Sequence, residues 1–287
     1  MAGVRRTAFR EAAYVARGQG LVRLSNSRPQ NLFDADAWDY IRRVEAADNY
    51  PLEDRVRVLI DLFVRGCKAD STWTPIKASC LMVGARTLAG ALTPLVGSAP
   101  TNNNFVAGDY SRTTGLLGNG SSKYLNTNRN NNADPQNSCH VAVYATSVGA
   151  TTATNKIMLG GQIGGTNEKL IIAGTSVNSG NASFRCQTTG TIVSAGAARF
   201  APGLIGASRA SSSQVTLHNS GGSTTVSSTS TAPSSGNLGV FASFNGTAGQ
   251  DFDDSRLAFY SVGEAVDLLL LNRRLFALTQ ALPRVIA

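Results

Sequence analysis

Apolar residues recur every three or four positions between residues 36 and 68, the spacing that places side chains on one face of an α-helix. They form two stripes, Trp38, Ile41 and Val44, followed by Leu52, Val56, Leu59, Ile60 and Phe63. Pro51 suits the first position of the second helix, where no backbone donor is needed, and Gly66 is expected to end it. The pattern predicts a helical hairpin over residues 34–68 with one face to bury.

From about Tyr110 onward the apolar runs are shorter and are separated by clusters of Gly, Asn and Ser. Short runs of this kind, spaced by roughly 8–15 residues, are typical of β-sandwiches and jelly rolls. In the stretch "HVAVYAT", alternation places Val141 and Val143 on one face of a strand and Ala142 and Tyr144 on the other. The pattern therefore predicts a mainly β fold for this part of the chain.

Two segments flank these strands. The linking region before Tyr110 mixes short apolar runs with Gly and Pro, and we expect one short helix there, around Ala78–Leu81. At the other end, "RLAFYSV" reads as a final buried strand, followed by a helix over Glu264–Leu282. An amphipathic terminal helix is expected to cover the open end of the sandwich.

Composition supports an ordered chain. The protein has 287 residues, of which 42% are hydrophobic and 15% charged. Disordered chains combine low hydrophobicity with high charge, and this combination is missing here. A single all-β unit can reach this length, so residues 69–287 are predicted to form one jelly-roll sandwich together with the terminal helix.

The formal net charge of +8 is unevenly distributed. Residues 1–33 contain a single acidic residue, Glu11, and six arginines, Arg5, Arg6, Arg10, Arg17, Arg23 and Arg28. Such a basic arm, with one short helix expected over residues 6–17, fits an acidic partner or serves solubility. Nucleic acid is the less favoured partner, because the arm has no lysines and few aromatic residues for stacking. A protein partner is preferred.

The four cysteines, Cys67, Cys80, Cys139 and Cys186, show neither a CxxC pair nor metal-ligand spacing. Free thiols in a reducing cytoplasm are the interpretation we favour. The first 20 residues lack the continuous apolar core of a secretory signal, although their Arg-rich, acid-poor character is also seen in transit peptides. No apolar run approaches the roughly 20 residues of a membrane span.

The run "GDYSRTTGLLGNGSSKYLNTNRNNNADP" within residues 84–137, and "SRLAFYSVGEAVDLLLLNRRL" at 255–275, carry a resemblance to a known family. They resemble laminin-G-like, concanavalin A-like modules in structural proteins of tailed bacteriophages and prophages. The helical hairpin also looks like the lead-in that such proteins place before the sandwich, so the resemblance covers roughly residues 36–287. It implies a virion component, and it implies no particular ligand, because such sandwiches include both sugar binders and purely structural modules.

The residues give little support to an enzymatic function. Glycoside hydrolysis needs two carboxylates flanking the scissile bond, and in the strand-rich body only Asp251 and Asp253 have suitable spacing, in what reads as a loop. The same "DFDD" turn, with Asn245, could bind calcium or be a solvated acidic turn, and the residues leave this open. His140 follows Cys139 directly, so the two side chains should point to opposite faces of a strand and form no dyad. We predict no catalytic residues, no cofactor and no metal.

Glycan binding is harder to exclude. The stretch "YLNTNRNNN" offers an aromatic ring and several amide and guanidinium groups in an expected loop, namely Tyr124, Asn126, Asn128, Arg129 and Asn130, with Asn131 beside them. The alternative is that these side chains satisfy backbone groups in tight turns.

We therefore expect a non-enzymatic structural protein of a tailed-phage virion, assembled in the host cytoplasm as a fibre, spike or capsid decoration. Its arm and helical hairpin would anchor it to other virion proteins, with the jelly roll outward and a homo-oligomer formed through the hairpin. The alternative function is a host-attachment module that recognises a surface glycan.

Overall fold

Two helices form where the apolar stripes predict them. Helix α1 (Ala35–Asp48) starts after Asp34, whose side chain accepts a hydrogen bond from the backbone N–H of Asp36, and ends at Asn49 in the left-handed region. Helix α2 (Asp54–Ala69) buries one face of its apolar residues. The predicted helical pair is confirmed, although α2 runs three residues beyond Gly66.

This computed structural model describes residues 14–16, 21–23, 32–149, 155–161, 168–173, 181–188, 190, 192–198, 201–219 and 222–286. Within these ranges, two further helices are α3 (Leu88–Ala91) and α4 (Leu268–Ala281). The strands are β1 (Tyr14–Ala16), β2 (Leu21–Arg23), β3 (Ile76–Leu81), β4 (Pro94–Val96), β5 (Thr101–Asn103), β6 (Tyr110–Ser111), β7 (Gly115–Leu117), β8 (Tyr124–Asn130), β9 (Cys139–Ser147), β10 (Lys156–Gly161), β11 (Glu168–Ala173), β12 (Asn181–Thr188), β13 (Ile192–Ala198), β14 (Gly203–Arg209), β15 (Gln214–Asn219), β16 (Gly222–Ser227), β17 (Asn237–Val240), β18 (Ser243–Phe244), β19 (Gly249–Gln250) and β20 (Arg256–Gly263).

Most strands belong to two nine-stranded sheets. Sheet I has the order β16-β15-β14-β9-β20-β3-β4, with β7 joined to β20 and β6 to β7. Sheet II has the order β13-β12-β11-β10-β17-β8-β5, with β18 and β19 attached beside β10. The strands β1 and β2 pair only with each other. The predicted mainly β sandwich, preceded by a helical pair and followed by a helix, is confirmed.

The molecule has three layers, namely the helices, sheet I and sheet II, because the two faces of strand β9 belong to two different apolar cores. Val141 and Val143 belong to the apolar core between the sheets, whereas Ala142 and Tyr144 belong to a second core that sheet I shares with the helices. This is the alternation predicted from "HVAVYAT". Sheet I is thus buried on both faces, with the helices on one side and sheet II on the other.

The C-terminal helix differs from its prediction in two ways. It begins at Leu268 rather than Glu264, because Asp267 caps it by accepting hydrogen bonds from the next backbone N–H groups. It also lies on the outer face of sheet I, not over an open end of the sandwich, with Leu271 and Leu275 fully buried there. Among the described residues, α4 contacts α2, so these helices form one layer.

Two local predictions were wrong. The helix expected at Ala78–Leu81 is part of strand β3, which pairs with β20 inside sheet I. The segment Tyr14–Ala16, expected to be helical, pairs as a strand with Leu21–Arg23. Of the arm arginines, Arg23 ends β2, whereas Arg5, Arg6, Arg10, Arg17 and Arg28 lie outside the described residues. Where the structure describes helices, none is long and apolar enough to cross a membrane.

Candidate functional site

The residues predicted to bind glycans lie on a strand, not in a loop. Strand β8 pairs antiparallel with β17 on one side and with the edge strand β5 on the other. Three of the predicted residues, Asn128, Arg129 and Asn130, line a cleft of about 170 Å³. The rest of its lining is Lys77, Ala78, Gly97, Ser98, Thr127 and Ala133. The cleft therefore lies where β8 meets strand β3 and the connection between β4 and β5.

Tyr124 and Asn126 do not reach this cleft. The ring of Tyr124 is half-buried and lies 6.1 Å, between centroids, from the rings of both Phe244 and Phe252. The Asn126 side chain accepts a hydrogen bond from the backbone N–H of Asn128 at 2.9 Å. Tyr124 consequently offers no open aromatic platform, and the predicted set of five residues does not form one surface.

The polar groups lining the cleft are largely engaged within the protein. Asn128, in the left-handed region at φ 55°, donates from its amide to the carbonyl of Ala99 and to the hydroxyl of Thr101. The Asn130 side chain accepts hydrogen bonds from the backbone N–H groups of Asn132 and Gly236. These contacts agree with the turn-stabilising alternative. Arg129 itself lines the cleft with a half-buried side chain.

A buried ionic cluster lies behind Arg129. The guanidinium of Arg129 donates to both carboxylate oxygens of Asp134, whose side chain is fully buried. Lys169, equally buried, donates to Asp134 at 2.9 Å and to the Asn131 carbonyl at 3.3 Å. Burial acts to raise the pKa of Asp134, but the hydrogen bond from Arg129 and the charge of Lys169 outweigh it, so this pKa lies below its ordinary value. Arg129 thus has a structural role that its sequence context did not reveal.

The same cluster extends to Gln187 on β12. Its amide nitrogen donates to the Asn131 side chain at 3.0 Å, and its backbone has a positive φ of 54°. Its Oε1 is buried with no hydrogen-bond partner among the described residues. Sequence reasoning missed Lys169 and Gln187. The available signal was a lysine at the head of the apolar run "KLIIA", since a charged residue buried on a sandwich strand requires an ionic partner.

The acidic turn at residues 251–254 is not an open carboxylate pair. Asp253 is fully buried and accepts hydrogen bonds from the backbone N–H and the hydroxyl of Ser255. Burial raises the pKa of Asp253 to about 6 and also raises that of Asp251. Asp254 forms an ion pair with Lys156 at 2.6 Å. Asp253 and Asp254 are therefore held by internal contacts, and Asp251 lies in the same turn with a half-buried side chain. The described part of the chain contains no group of three or more His, Cys, Asp or Glu side chains arranged around a metal position.

His140 and Cys139 have separate partners, as adjacent residues on a strand should. The Nδ1 of His140 donates to the Glu264 carbonyl, which leaves Nε2 to accept from the Ser261 hydroxyl at 2.7 Å. Burial lowers the pKa of His140 to about 4, so the ring is neutral at pH 7. Cys139 instead faces sheet II, where its Sγ lies 3.5 Å from the Sγ of Cys186.

Exposed apolar side chains concentrate on the helical side of the molecule. Among the described residues, seven large apolar side chains are exposed, Leu32, Tyr50, Val58, Leu62, Val106, Leu269 and Phe276. Six of them lie on α2, on α4 or in the segments flanking α1, and Val106 alone lies on the sandwich. An apolar groove of about 260 Å³ runs between α2 and α4, lined by Leu59, Leu62, Phe63, Arg274, Ala277 and Leu278. We call the surface formed by the six exposed side chains on this side and by the groove between α2 and α4 the helical face.

Comparisons with known proteins find similar solved structures but no matching family. No family model matches the sequence, and no curated protein matches it. Ten solved chains match, among them domains LG4-5 of the mouse laminin α1 chain at 16% identity and a TM-score of 0.35. That match covers 61% of this chain and 46% of the laminin chain. Another is the Trypanosoma rangeli sialidase, at 8% identity and a TM-score of 0.44, covering 79% of this chain and 39% of the sialidase. The chain therefore spans less than half the length of these solved proteins.

Proposed function

We propose that this protein is a non-enzymatic structural component of a tailed-phage virion, a fibre, spike or capsid decoration that docks through its helical face. The observation that carries the proposal is the distribution of exposed apolar side chains. A contiguous exposed apolar patch on a soluble protein commonly marks a surface that meets another protein. Here Val58 and Leu62 lie one turn apart on α2, beside the apolar groove to α4.

The arrangement of layers supports an orientation. The helices cover one face of sheet I, and sheet II lies on the opposite side of the molecule. Docking through the helical face would leave sheet II directed outward. The basic arm precedes α1 and would extend the same contact towards an acidic surface on another virion protein.

A non-enzymatic role is supported by the state of the buried carboxylates. Asp134 is held by Arg129 and Lys169, and Asp253 by Ser255, so each is engaged in an internal contact. Glycoside hydrolysis in its usual form requires a pair of carboxyl groups facing the substrate. These groups instead contribute to the internal order of the sandwich.

The proposal is tested by assembly. The full-length chain would be produced in a host that carries the remaining virion genes, and purified particles would be probed for it. We expect deletion of residues 1–33 or the substitution Leu62→Asp to leave a folded protein that no longer joins particles. Val106→Asp is the matched control, because Val106 is equally exposed (60% against 57%) but lies away from the helical face. Normal incorporation of both altered proteins would contradict the docking role.

A second candidate function, host-glycan recognition, is favoured by the cleft beside β8. Lys77, Ser98 and Arg129 line its 170 Å³ volume and carry hydrogen-bond donors. Lys77→Ala tests this on a glycan array, since Arg129 cannot be removed without disturbing Asp134. Glu264→Gln is the control, because it breaks the Lys77–Glu264 ion pair but keeps the cation in the cleft. Glycan binding that survives Lys77→Ala, or that is absent from the native chain, would remove this candidate.

A further inference from the structure

Two cysteines on opposite sheets meet in the interior of the sandwich. Cys139 is the first residue of β9 in sheet I, and Cys186 lies on β12 in sheet II. Both are fully buried, and their sulfur atoms are 3.5 Å apart. This is close to van der Waals contact, and a disulfide requires an approach to about 2.05 Å. Closing the bond therefore requires the two sulfur atoms to approach by about 1.5 Å.

We propose that Cys139 and Cys186 are a latent cross-link that closes into a disulfide and joins sheet I to sheet II when the protein meets a peroxide. This goes beyond the proposed function and does not depend on it. The two residues are separated by 47 positions along the chain. A covalent bond between them would therefore close a long loop and restrict the unfolded chain substantially.

The surroundings distinguish Cys139 as the nucleophile. The hydrogen bond from the Cys186 thiol lowers the pKa of Cys139, and the positive charges of Lys169 and Arg209 act in the same direction, whereas burial and the negative charge of Asp134 oppose it. Cys67 and Cys80 have the opposite environment, because burial raises the pKa of each to about 12. The reactive form of a cysteine is the thiolate, so oxidation is directed to the Cys139–Cys186 pair.

The chemistry balances with hydrogen peroxide as the oxidant. The Cys139 thiolate attacks one peroxide oxygen and breaks the O–O bond, forming a sulfenic acid and releasing hydroxide, which takes up a proton to become water. The Cys186 sulfur then attacks the Cys139 sulfur, loses its proton and displaces the hydroxyl group as a second water. Two thiols lose two electrons in total, and one peroxide is reduced to two waters.

The test uses the native, full-length protein, held below its unfolding temperature and treated with either hydrogen peroxide or a reductant. Trypsin places Cys139 on the peptide 130–156 and Cys186 on the peptide 186–199, so a cross-link is read directly from a non-reducing peptide map. We expect these two peptides to be joined after peroxide, with a loss of about two mass units from the intact chain. We also expect the Tm to rise by roughly 5–10 °C relative to the reduced protein.

Two variants locate the effect. Cys139→Ala should lose both the cross-link and the rise in Tm, whereas Cys67→Ala, the matched control with another buried cysteine, should retain both. If Cys139→Ala does not fold, the peptide map of the native chain alone tests whether the cross-link forms. The proposal is overturned if all four thiols survive peroxide, if Cys139 and Cys186 are recovered as separate oxygen acids, or if Cys67 is joined to Cys80 to the same extent.

Discussion

Lys169 Nζ lies 2.9 Å from Asp134 Oδ2, and both side chains have no solvent exposure. This ion pair links strand β11 of sheet II to the segment that leads into β9 of sheet I. The pair is not symmetric, since Asp134 also accepts from Arg129, whereas the other acceptor of Lys169 is a backbone carbonyl. The two residues therefore tolerate loss of their partner to different degrees.

Asp134→Asn is predicted to destabilise the protein more than Lys169→Met does. The first substitution leaves a buried ammonium without a carboxylate, which costs about 3–5 kcal/mol in the free energy of unfolding. The second leaves Asp134 paired with Arg129 and should cost about 1–3 kcal/mol. Urea unfolding at pH 7 measures both, and the double variant should cost less than the sum of the two. A larger loss for Lys169→Met would contradict this account of the cluster.

The pH dependence of stability should carry opposite contributions from His140 and Asp253. The pKa of His140 is lowered to about 4 when folded, so the unfolded chain takes up the proton first and stability falls as the pH drops from about 6.5 to 4. The pKa of Asp253 is raised to about 6, so the folded protein takes up the proton first and stability is lost as the pH rises from about 4 to 6. Burial is the main cause of both shifts.

When the pH is lowered from 7 to 5, the free energy of unfolding of His140→Gln should therefore rise by about 2 kcal/mol relative to that of the native protein. For Asp253→Asn, the same lowering of the pH should reduce the free energy of unfolding by about 1 kcal/mol relative to that of the native protein. Urea unfolding at the two pH values measures each difference, and other titrating groups such as His218 cancel in the comparison. Identical pH dependence in all three proteins would show that neither group has the shifted pKa described above.

Gly115→Ala is expected to destabilise the β7–β20 pairing. Gly115 has a φ of 98°, and a Cβ atom there would lie 2.1 Å from the carbonyl oxygen of Leu257 on β20. Strain and this backbone clash together should cost at least about 2 kcal/mol. Gly108→Ala is the matched control, because no atom lies within 4 Å of its Cβ position, and its unfolding midpoint should stay near that of the native protein.

Leu275→Ala tests whether α4 is part of the core. Leu275 is fully buried between α4 and sheet I, so truncation should leave a cavity and cost about 2–5 kcal/mol. Leu269→Ala, on the same helix but 39% exposed, should change the unfolding free energy far less. Equal effects in the two variants, measured by thermal or urea unfolding, would mean that α4 is not docked as described.

The main elements of the fold were predictable because they depend on residue periodicity. Steps of three and four identified α1 and α2, and alternation placed Val141 and Val143 on one face of a strand and Ala142 and Tyr144 on the other. That both of these faces are buried is seen only in the structure. The position of α4 was not predictable. Its apolar stripe shows that one face is buried, but only the three-dimensional arrangement determines whether sheet I or an end of the sandwich receives it.

The candidate site was harder to predict from the sequence, because the residues that contact one another there are far apart along the chain. The run of asparagines suggested a loop, yet backbone pairing with β17 and β5 makes Tyr124–Asn130 a strand. Ser261 and Glu264 hold His140 from more than a hundred residues away. Likewise, the Cys139–Cys186 contact forms only when two sheets stack, and spacing between cysteines carries no trace of it.

The central claim, docking through the helical face, is tested most directly by hydrogen exchange on the assembled protein. Amide exchange would be compared between the free chain and the same chain on purified particles. We predict slower exchange on the particle for peptides from α2 and α4, with exchange in sheet II unchanged. Protection confined to sheet II, with α2 and α4 exchanging as in the free chain, would contradict the account.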